Sequence, residues 1–144
     1  MLVTPTCRRR FDKEGKSVNT HGEYPDAIRW VAQKENVPLI ELNGMTTMLC
    51  DALGVDGSMK LYVHYPAGTF PGQTREFKDN SHFSTYGAYE TAKCVVEGMK
   101  KAKLDISNYL RADYKGFNPA QPDKFETFKW NLCPFTEIEK PDGN

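Results

Sequence analysis

Two short stretches, Leu2–Thr6 (LVTPT) and Val37–Leu42 (VPLIEL), decide the fold. Each is a run of mainly apolar and β-branched residues, and such runs are typical of strands buried in a parallel sheet. The residues between them, from Tyr24 to about Asn36, keep helical spacing, with Pro25 in the first turn, where its missing N–H is harmless. Because a strand, a helix and a second strand form a right-handed crossover, we predict two parallel strands.

Helices are predicted on both sides of a long loop. Asn43 is expected to cap a helix that stops at Gly54. Residues 56–81 contain Gly, Pro and aromatic residues with little periodicity, so we predict a long loop with a functional role. Ser84 is expected to cap the clearest helix, and a shorter one should follow at Asp105–Leu110. The predicted apolar face of the clearest helix consists of Ala88, Ala92, Val95, Val96 and Met99.

The last part of the chain is predicted to be irregular. Residues 112–144 are rich in Pro, Asp, Lys and aromatics, which is typical of an extension packed on a body formed by residues 1–111. The expected anchors are Phe117, Phe125, Phe128, Trp130 and Phe135. The order of elements belongs to an open α/β sheet, but only two strands are evident, so the sheet should be incomplete.

Composition narrows the class of protein. The chain has 144 residues, 39% of them hydrophobic, with 19 Lys+Arg against 19 Asp+Glu, so its formal charge is zero. This is typical of one globular domain and argues against nucleic acid or an anionic membrane as the main partner. We find no apolar run long enough to cross a bilayer and no signal peptide, so nothing in the sequence as written directs export.

Cysteines and histidines give no metal-binding pattern. Cys7, Cys50, Cys94 and Cys133 form no CxxC pair and no cluster with zinc-ligand spacing, so we predict neither a metal site nor a cofactor. Cys50 and Cys94 lie in helical patterns, where thiols behave as small core residues, and pairing of the cysteines stays open. His21 and His64 occur in loop-like sequence, where a surface or structural role is expected.

The third histidine lies in the most informative segment, residues 78–87 (KDNSHFSTYG), just before the clearest helix. Asp79 and His82 are three residues apart, which allows the carboxylate to bind one imidazole nitrogen while the other faces solvent. That arrangement forms two thirds of a hydrolase triad, with Asp79 as orienting acid and His82 as general base. The alternative is that Asp79 or Ser81 merely belongs to the turn that enters the helix and that His82 has no role.

This segment resembles the D-x-x-H block of the SGNH (GDSL-like) hydrolases. Together with LVTPT followed by Arg8-Arg9-Arg10, THGEYP at residues 20–25 and VPLI at residues 37–40, it resembles the rhamnogalacturonan acetylesterase branch over roughly residues 2–100. The resemblance implies the C-terminal part of a flavodoxin-like parallel sheet with flanking helices. It also implies an enzyme that removes acetyl groups from pectic polysaccharide. Members of that family are usually secreted or periplasmic, and the location of this chain stays open.

The nucleophile of that family has no counterpart in the sequence. Neither Gly-Asp-Ser nor Gly-x-Asn-Asp occurs, and Ser58, Ser81 and Ser84 lack the expected strand-to-helix elbow. Because Met1 leads directly into a strand, we expect a shortened reading frame. Because the nucleophile and the oxyanion-hole block are both missing, we expect little activity from the isolated chain. We also consider a non-catalytic module that binds acidic polysaccharide or a protein, and one half of a split esterase.

Candidate substrate-binding residues surround the predicted pair. At the end of a parallel strand Arg8, Arg9 and Arg10 would face the ligand edge, where guanidinium groups bind uronate carboxylates, although plain solvated arginines are the alternative. His21 and Tyr65 complete the set of candidates, and packing is the competing role for the Tyr65 ring. Since the first strand should have one free edge, we also predict self-association.

Overall fold

A computed structural model describes residues 1–130, so predictions about Cys133 and Phe135 lie outside the described residues. β1 (Leu2–Val3) pairs in parallel with β2 (Leu39–Ile40), which confirms the predicted pair of strands. The Leu2 N–H donates to the Pro38 carbonyl, and the Thr4 N–H donates to the Ile40 carbonyl. Both strands are shorter than predicted because a helix starts at Leu42, directly after β2.

The crossover helix, α1 (Tyr24–Lys34), is also confirmed. Pro25 lies in its first turn and is buried. The helix ends two residues before the predicted limit because Asn36 adopts a left-handed conformation with φ of 49°, which breaks the helical hydrogen-bond pattern. The Val37 N–H then donates to the Ala32 carbonyl and directs the chain into β2.

The second helix, α2 (Leu42–Gly57), begins and ends differently from the prediction. Glu41 caps it by accepting a hydrogen bond from the Gly44 N–H, so the predicted cap at Asn43 is wrong. Asn43 lies inside the first turn and donates from its amide to the Pro5 carbonyl. Gly54, the predicted stop, has φ of 69° and interrupts the helix, which resumes for one further turn.

Residues 56–81 do not form a long loop, and that prediction is wrong. A 3₁₀ turn at Ser58–Leu61 leads into β3 (Tyr62–Tyr65), which pairs antiparallel with β4 (Phe77–Phe83). Most side chains of β4 are exposed, so the strand lacks the alternation of apolar and polar residues that identifies a half-buried strand in a sequence. Only the residues between the two strands remain irregular.

The helix α3 (Thr85–Lys101) begins as predicted, with the Ser84 hydroxyl accepting from the Gly87 N–H at 3.0 Å. Its predicted apolar face is partly wrong, since Ala88 and Ala92 are exposed. The inner face includes two glycines, at which an added Cβ would collide with the Leu61 carbonyl and with the Ile40 side chain. Because α3 packs its backbone this closely, its position in the fold depends on small residues as well as on large apolar ones.

The core lies between the parallel strands, α2, α3 and the start of β3. Its buried members are Cys7, Ile40, Leu42, Leu49, Cys50, Leu61, Tyr62, Tyr86 and Cys94. The predicted burial of Cys50 and Cys94 is confirmed.

Residues 102–130 contain only short 3₁₀ turns, at Asp105–Tyr109 and Phe125–Thr127. Two of the predicted aromatic anchors, Phe117 and Phe128, pack against the core. The Tyr86 hydroxyl donates to the Asp123 carbonyl at 2.6 Å and holds this segment against α3. The division of the chain at residue 111 stays a prediction.

Candidate active site

The predicted catalytic pair lies in a bulge of β4. Tyr62 pairs with Phe83 and His64 pairs with Lys78, so four residues, 79–82, stand opposite a single residue of β3. A bulge of this kind leaves the extra residues unpaired and turns their side chains away from the ladder. The hairpin therefore presents Asp79 and His82 on an irregular loop at the start of α3, where sequence reasoning predicted a simple turn.

Three hydrogen bonds fix the carboxylate of Asp79. Its Oδ1 accepts from the backbone N–H groups of Ser81 at 2.6 Å and of His82 at 2.9 Å, and its Oδ2 contacts His82 Nδ1 at 2.6 Å. These hydrogen bonds lower the pKa of Asp79 to about 2. The backbone N–H of His82 is the largest cause, followed by the backbone N–H of Ser81 and by the imidazole. The carboxylate is therefore charged at any physiological pH.

The orientation of His82 follows from that carboxylate. An ionised carboxylate only accepts hydrogen bonds, so Nδ1 carries the proton that points at Asp79. In the neutral imidazole the other nitrogen, Nε2, is then an unprotonated acceptor. The His82 side chain is 81% exposed, so this nitrogen is open to solvent and to a reacting group. An imidazole held by a carboxylate on one nitrogen and exposed on the other can accept a proton and return it.

Arg9 and His64 support the bulge from behind. The Arg9 N–H donates to the Asn80 carbonyl at 2.9 Å, and the guanidinium donates to the Asn80 side chain at 3.2 Å. His64 Nε2 also contacts the Asn80 amide oxygen, at 2.8 Å. Sequence reasoning missed both roles of Asn80, because its partners are 71 and 16 residues away along the chain.

The sequence matches two curated proteins of Bacillus subtilis (strain 168). Rhamnogalacturonan acetylesterase RhgT is 39% identical over 110 residues, which cover 76% of this chain and 47% of RhgT. Over these residues the chain is therefore a homologue of a rhamnogalacturonan acetylesterase. The probable rhamnogalacturonan acetylesterase YesY is 28% identical over 110 residues, with 76% of this chain and 46% of YesY covered. This acetylesterase homologue spans about half the length of both relatives.

A solved structure shows a similar fold. The crystal structure of the protein YxiM of Bacillus subtilis superposes with a TM-score of 0.56 at 24% identity, covering 72% of this chain and 26% of YxiM. At that identity the likeness concerns the fold alone, a small α/β arrangement. No family model matches the chain.

The candidate substrate-binding residues of the acetylesterase homologue fall into different environments. Arg8 and Arg10 are exposed, whereas Arg9 is half-buried and its guanidinium forms hydrogen bonds within the chain. Besides its bonds to Asn80, the Arg9 guanidinium donates to the Ser58 hydroxyl at 3.1 Å and to the Val55 carbonyl at 2.6 Å. Arg9 is therefore placed to position the bulge, and contact between Arg9 and a uronate stays a prediction.

His21 and Tyr65, the other two candidates, line separate cavities. His21 Nε2 contacts the Thr6 carbonyl at 2.8 Å in a cavity of about 320 Å³ beside α1. Tyr65 packs edge-on against Phe70 and lines a cavity of about 360 Å³ between the hairpin and residues 125–130. The structure thus brings Tyr65 to the same hairpin as His82 but does not bring His21 there.

Two of the three serines considered as nucleophiles have structural roles. Ser58 is buried, accepts from Arg9 and donates to the Val55 carbonyl at 3.1 Å. Ser84 caps α3 and donates to the Lys60 carbonyl at 2.6 Å. Ser81 is exposed, and its N–H belongs to the turn held by Asp79.

Residues 1–130 contain neither a cluster of metal ligands nor a membrane-spanning helix. Within them, no group of three or more His, Cys, Asp or Glu side chains is placed to hold a metal ion. No helix in that part of the chain combines the length and hydropathy that a bilayer span requires.

Proposed function

We propose that this homologue is the C-terminal portion of a carbohydrate acetylesterase domain in which Asp79 and His82 are two members of a Ser-His-Asp triad. The observation that carries the proposal is the 2.6 Å contact between Asp79 Oδ2 and His82 Nδ1. Homology to the rhamnogalacturonan acetylesterases supports the same reaction class. The serine would come from the other half of the domain, because the sequence contains no Gly-Asp-Ser.

In the complete domain, His82 would move the proton twice. Its Nε2 accepts the proton of the serine hydroxyl as that oxygen attacks the acetyl carbonyl, and it returns the proton to the departing sugar oxygen. A water activated by the same nitrogen then releases acetate from the serine ester. Asp79 stays ionised throughout and stabilises the imidazolium, in agreement with its lowered pKa.

The finer architecture is part of the proposal. We infer that β1 and β2 are two strands of a flavodoxin-like sheet. The backbone groups of Leu2 and Thr4 face β2, so those of Val3 face the opposite edge, where no strand lies among the described residues. Val3 is 39% exposed, which suits an edge that pairs with another strand. Self-association through this edge would give a dimer in sedimentation, and a concentration-independent monomer would contradict it.

The tautomer of His82 tests the pair in the chain itself. Long-range ¹⁵N NMR should show His82 with its proton on Nδ1, and Asp79→Asn should shift the ring toward the other tautomer. Glu76→Gln, an exposed carboxyl three residues earlier, is the matched control and should change nothing. A wild-type ring protonated mainly on Nε2 would contradict the proposed acid–base pair.

Acetate release tests the activity. The chain would be assayed on acetylated rhamnogalacturonan alone and together with the N-terminal half of RhgT. We expect release only from the mixture and none from the mixture with His82→Ala. His21→Gln is the control variant and should retain activity, because His21 lies in a different cavity. Release that survives His82→Ala would contradict the assignment.

Acetylated pectic polysaccharide is the proposed substrate, and Arg8 and Arg10 are the proposed contacts to its uronates. Both are exposed and flank Arg9, which supports the bulge. Replacing both with Ala should raise KM for the polymer and leave KM for a small neutral acetyl ester unchanged. An equal effect on both substrates would contradict uronate recognition.

A second candidate is a non-catalytic module that binds acidic polysaccharide. Two observations favour this role. Ser58 and Ser84 form structural hydrogen bonds, and the sequence contains no Gly-Asp-Ser. Because binding needs no general base, His82→Ala should leave the affinity for de-esterified rhamnogalacturonan unchanged in such a module. No acetate release from any mixture, with measurable binding, would favour this role.

A further inference from the structure

Two buried thiols face each other behind the candidate active site. Cys7 follows β1 and Cys50 lies in the middle of α2, and their Sγ atoms are 3.4 Å apart. The residues are 5% and 1% exposed, so neither thiol reaches solvent in the folded chain. The Tyr62 hydroxyl lies 3.6 and 3.5 Å from the two sulfurs and donates to the Cys7 carbonyl at 2.9 Å.

Hydrogen bonds between the Cys7 backbone and the Thr46 and Tyr62 hydroxyls hold the two cysteines close to each other. The Cys7 N–H donates to the Thr46 hydroxyl at 2.9 Å, and Thr46 is one helical turn before Cys50 on the same face of α2. Tyr62 fixes the carbonyl on the other side of Cys7. The position of Cys7 beside α2 therefore does not rest on the thiol itself, and the 3.4 Å between the sulfurs would shorten to about 2.05 Å in a disulfide.

We propose that Cys7 and Cys50 form a disulfide when the chain folds in the presence of a small-molecule disulfide such as oxidised glutathione. One thiolate attacks the glutathione disulfide, which gives a mixed disulfide and one glutathione thiol. The second cysteine, as a thiolate, then attacks the mixed disulfide and releases the other glutathione. The protein loses two protons and two electrons, and the oxidant becomes two thiols. Burial requires that this exchange precede final packing.

The bond would act on the support of the candidate site. It would link the segment after β1 to α2 and close a loop that contains α1 and β2. Arg9, two residues after Cys7, holds the bulge through Asn80. A disulfide at Cys7 would therefore also restrict the backbone at Arg9. Through the Arg9–Asn80 contacts it would restrict the loop that presents His82.

Cys94 provides the internal control. It is as deeply buried as Cys50 and belongs to the same core, but it makes no sulfur–sulfur contact among the described residues. The proposal thus selects one pair from cysteines whose burial is alike.

Peptide mapping of the full chain tests the proposal. The protein is refolded with oxidised or with reduced glutathione, free thiols are alkylated, and trypsin releases Met1–Arg8 and Glu35–Lys60. We expect these peptides to be joined only in the oxidised sample. The midpoint of thermal unfolding should be higher there by roughly 10 °C, because the link restricts the unfolded chain.

Variants separate the proposed bond from other oxidation. Cys94→Ser should keep the joined peptides and the thermal shift, and Cys50→Ser should lose both. Should Cys50→Ser fail to fold, the comparison of oxidised and reduced wild-type chain still decides the question. The proposal would be overturned by disulfides that involve other cysteines or by glutathione adducts alone. It would also be overturned if the joined peptides were found but the unfolding midpoint of the oxidised chain were lower.

Discussion

Two acid–base contacts with the same sequence spacing have opposite environments in this chain. Asp79 contacts His82 and Glu90 contacts Lys93, each across three residues and each at 2.6 Å. His82 is 81% exposed, whereas the Glu90 side chain has no exposed surface. Backbone N–H groups lower the pKa of Asp79, and burial is the largest cause that raises the pKa of Glu90. Spacing places the partners, but solvent access decides what the pair does.

The buried pair fastens the last described segment to α3. Lys93 also binds the Asp123 carboxylate at 2.7 Å and lies 4.1 Å from the centre of the Phe117 ring. Glu90 accepts from the Asp123 N–H at 3.2 Å. This pair thus has a structural role, while the exposed pair has one nitrogen free for a reaction.

The largest expected effect is on the activity of the exposed pair. With the complementing half of the domain present, Asp79→Asn should lower kcat by roughly 10³ to 10⁴, because the imidazole loses its orienting acceptor. The unfolding midpoint of the isolated chain should change little, since the pair lies at the surface. Initial rates of acetate release and a thermal melt would be measured on the same preparation. An unchanged kcat in Asp79→Asn would contradict a functional role for the exposed pair.

Breaking the buried pair should affect stability instead. Lys93→Met leaves Glu90 without its cation, which should lower the free energy of unfolding by ~3 kcal/mol. Lys100→Met is the matched control, because Lys100 pairs with Glu97 across the same spacing at the surface, and it should cost less than ~1 kcal/mol. Urea unfolding of both variants provides the test. Equal losses would show that burial does not distinguish these pairs.

The contribution of Glu90 to the stability of the chain should fall as the pH rises. Its folded pKa is raised, so its contribution is present below its ordinary value of 4.5 and is lost as pH rises through the folded pKa. The groups that face it are Lys93, Asp123 and Tyr86. Glu90→Gln should therefore gain stability relative to wild type as pH increases from about 4.5, in urea titrations at several pH values. A constant difference would contradict a raised pKa.

The smallest expected effect is on the contribution of Asp79 to stability. This contribution should fall as the pH falls, which is the opposite of the trend for Glu90. Its folded pKa is lowered from 3.8 to about 2, so its contribution is present above 3.8 and is lost as pH falls toward 2. Compared with Asp79→Asn, wild type should lose its advantage over that interval. Chemical denaturation between pH 2 and 5 would reveal the trend, and a wild-type advantage that grows with acid would contradict it.

Much of the fold followed from local patterns. The parallel pair of strands, the crossover helix α1 and the Ser84 cap were predictable because each leaves a local pattern of residue types in the sequence. The hairpin of β3 and β4 was not, since β4 is largely exposed and polar and shows no alternation of apolar and polar residues. The buried face of α3 was also misplaced, because Gly87 and Gly98 approach other backbone and side chains that no periodicity reveals.

The candidate site divides in the same way. By itself the sequence determined the contact between Asp79 and His82, because a carboxylate three residues before a histidine can bind its backbone N–H and its ring together. Only the tertiary structure decided that Arg9 supports the bulge, that His21 lies apart from it, and that Cys7 faces Cys50. These contacts join residues remote in sequence, and packing of the whole chain brings them together.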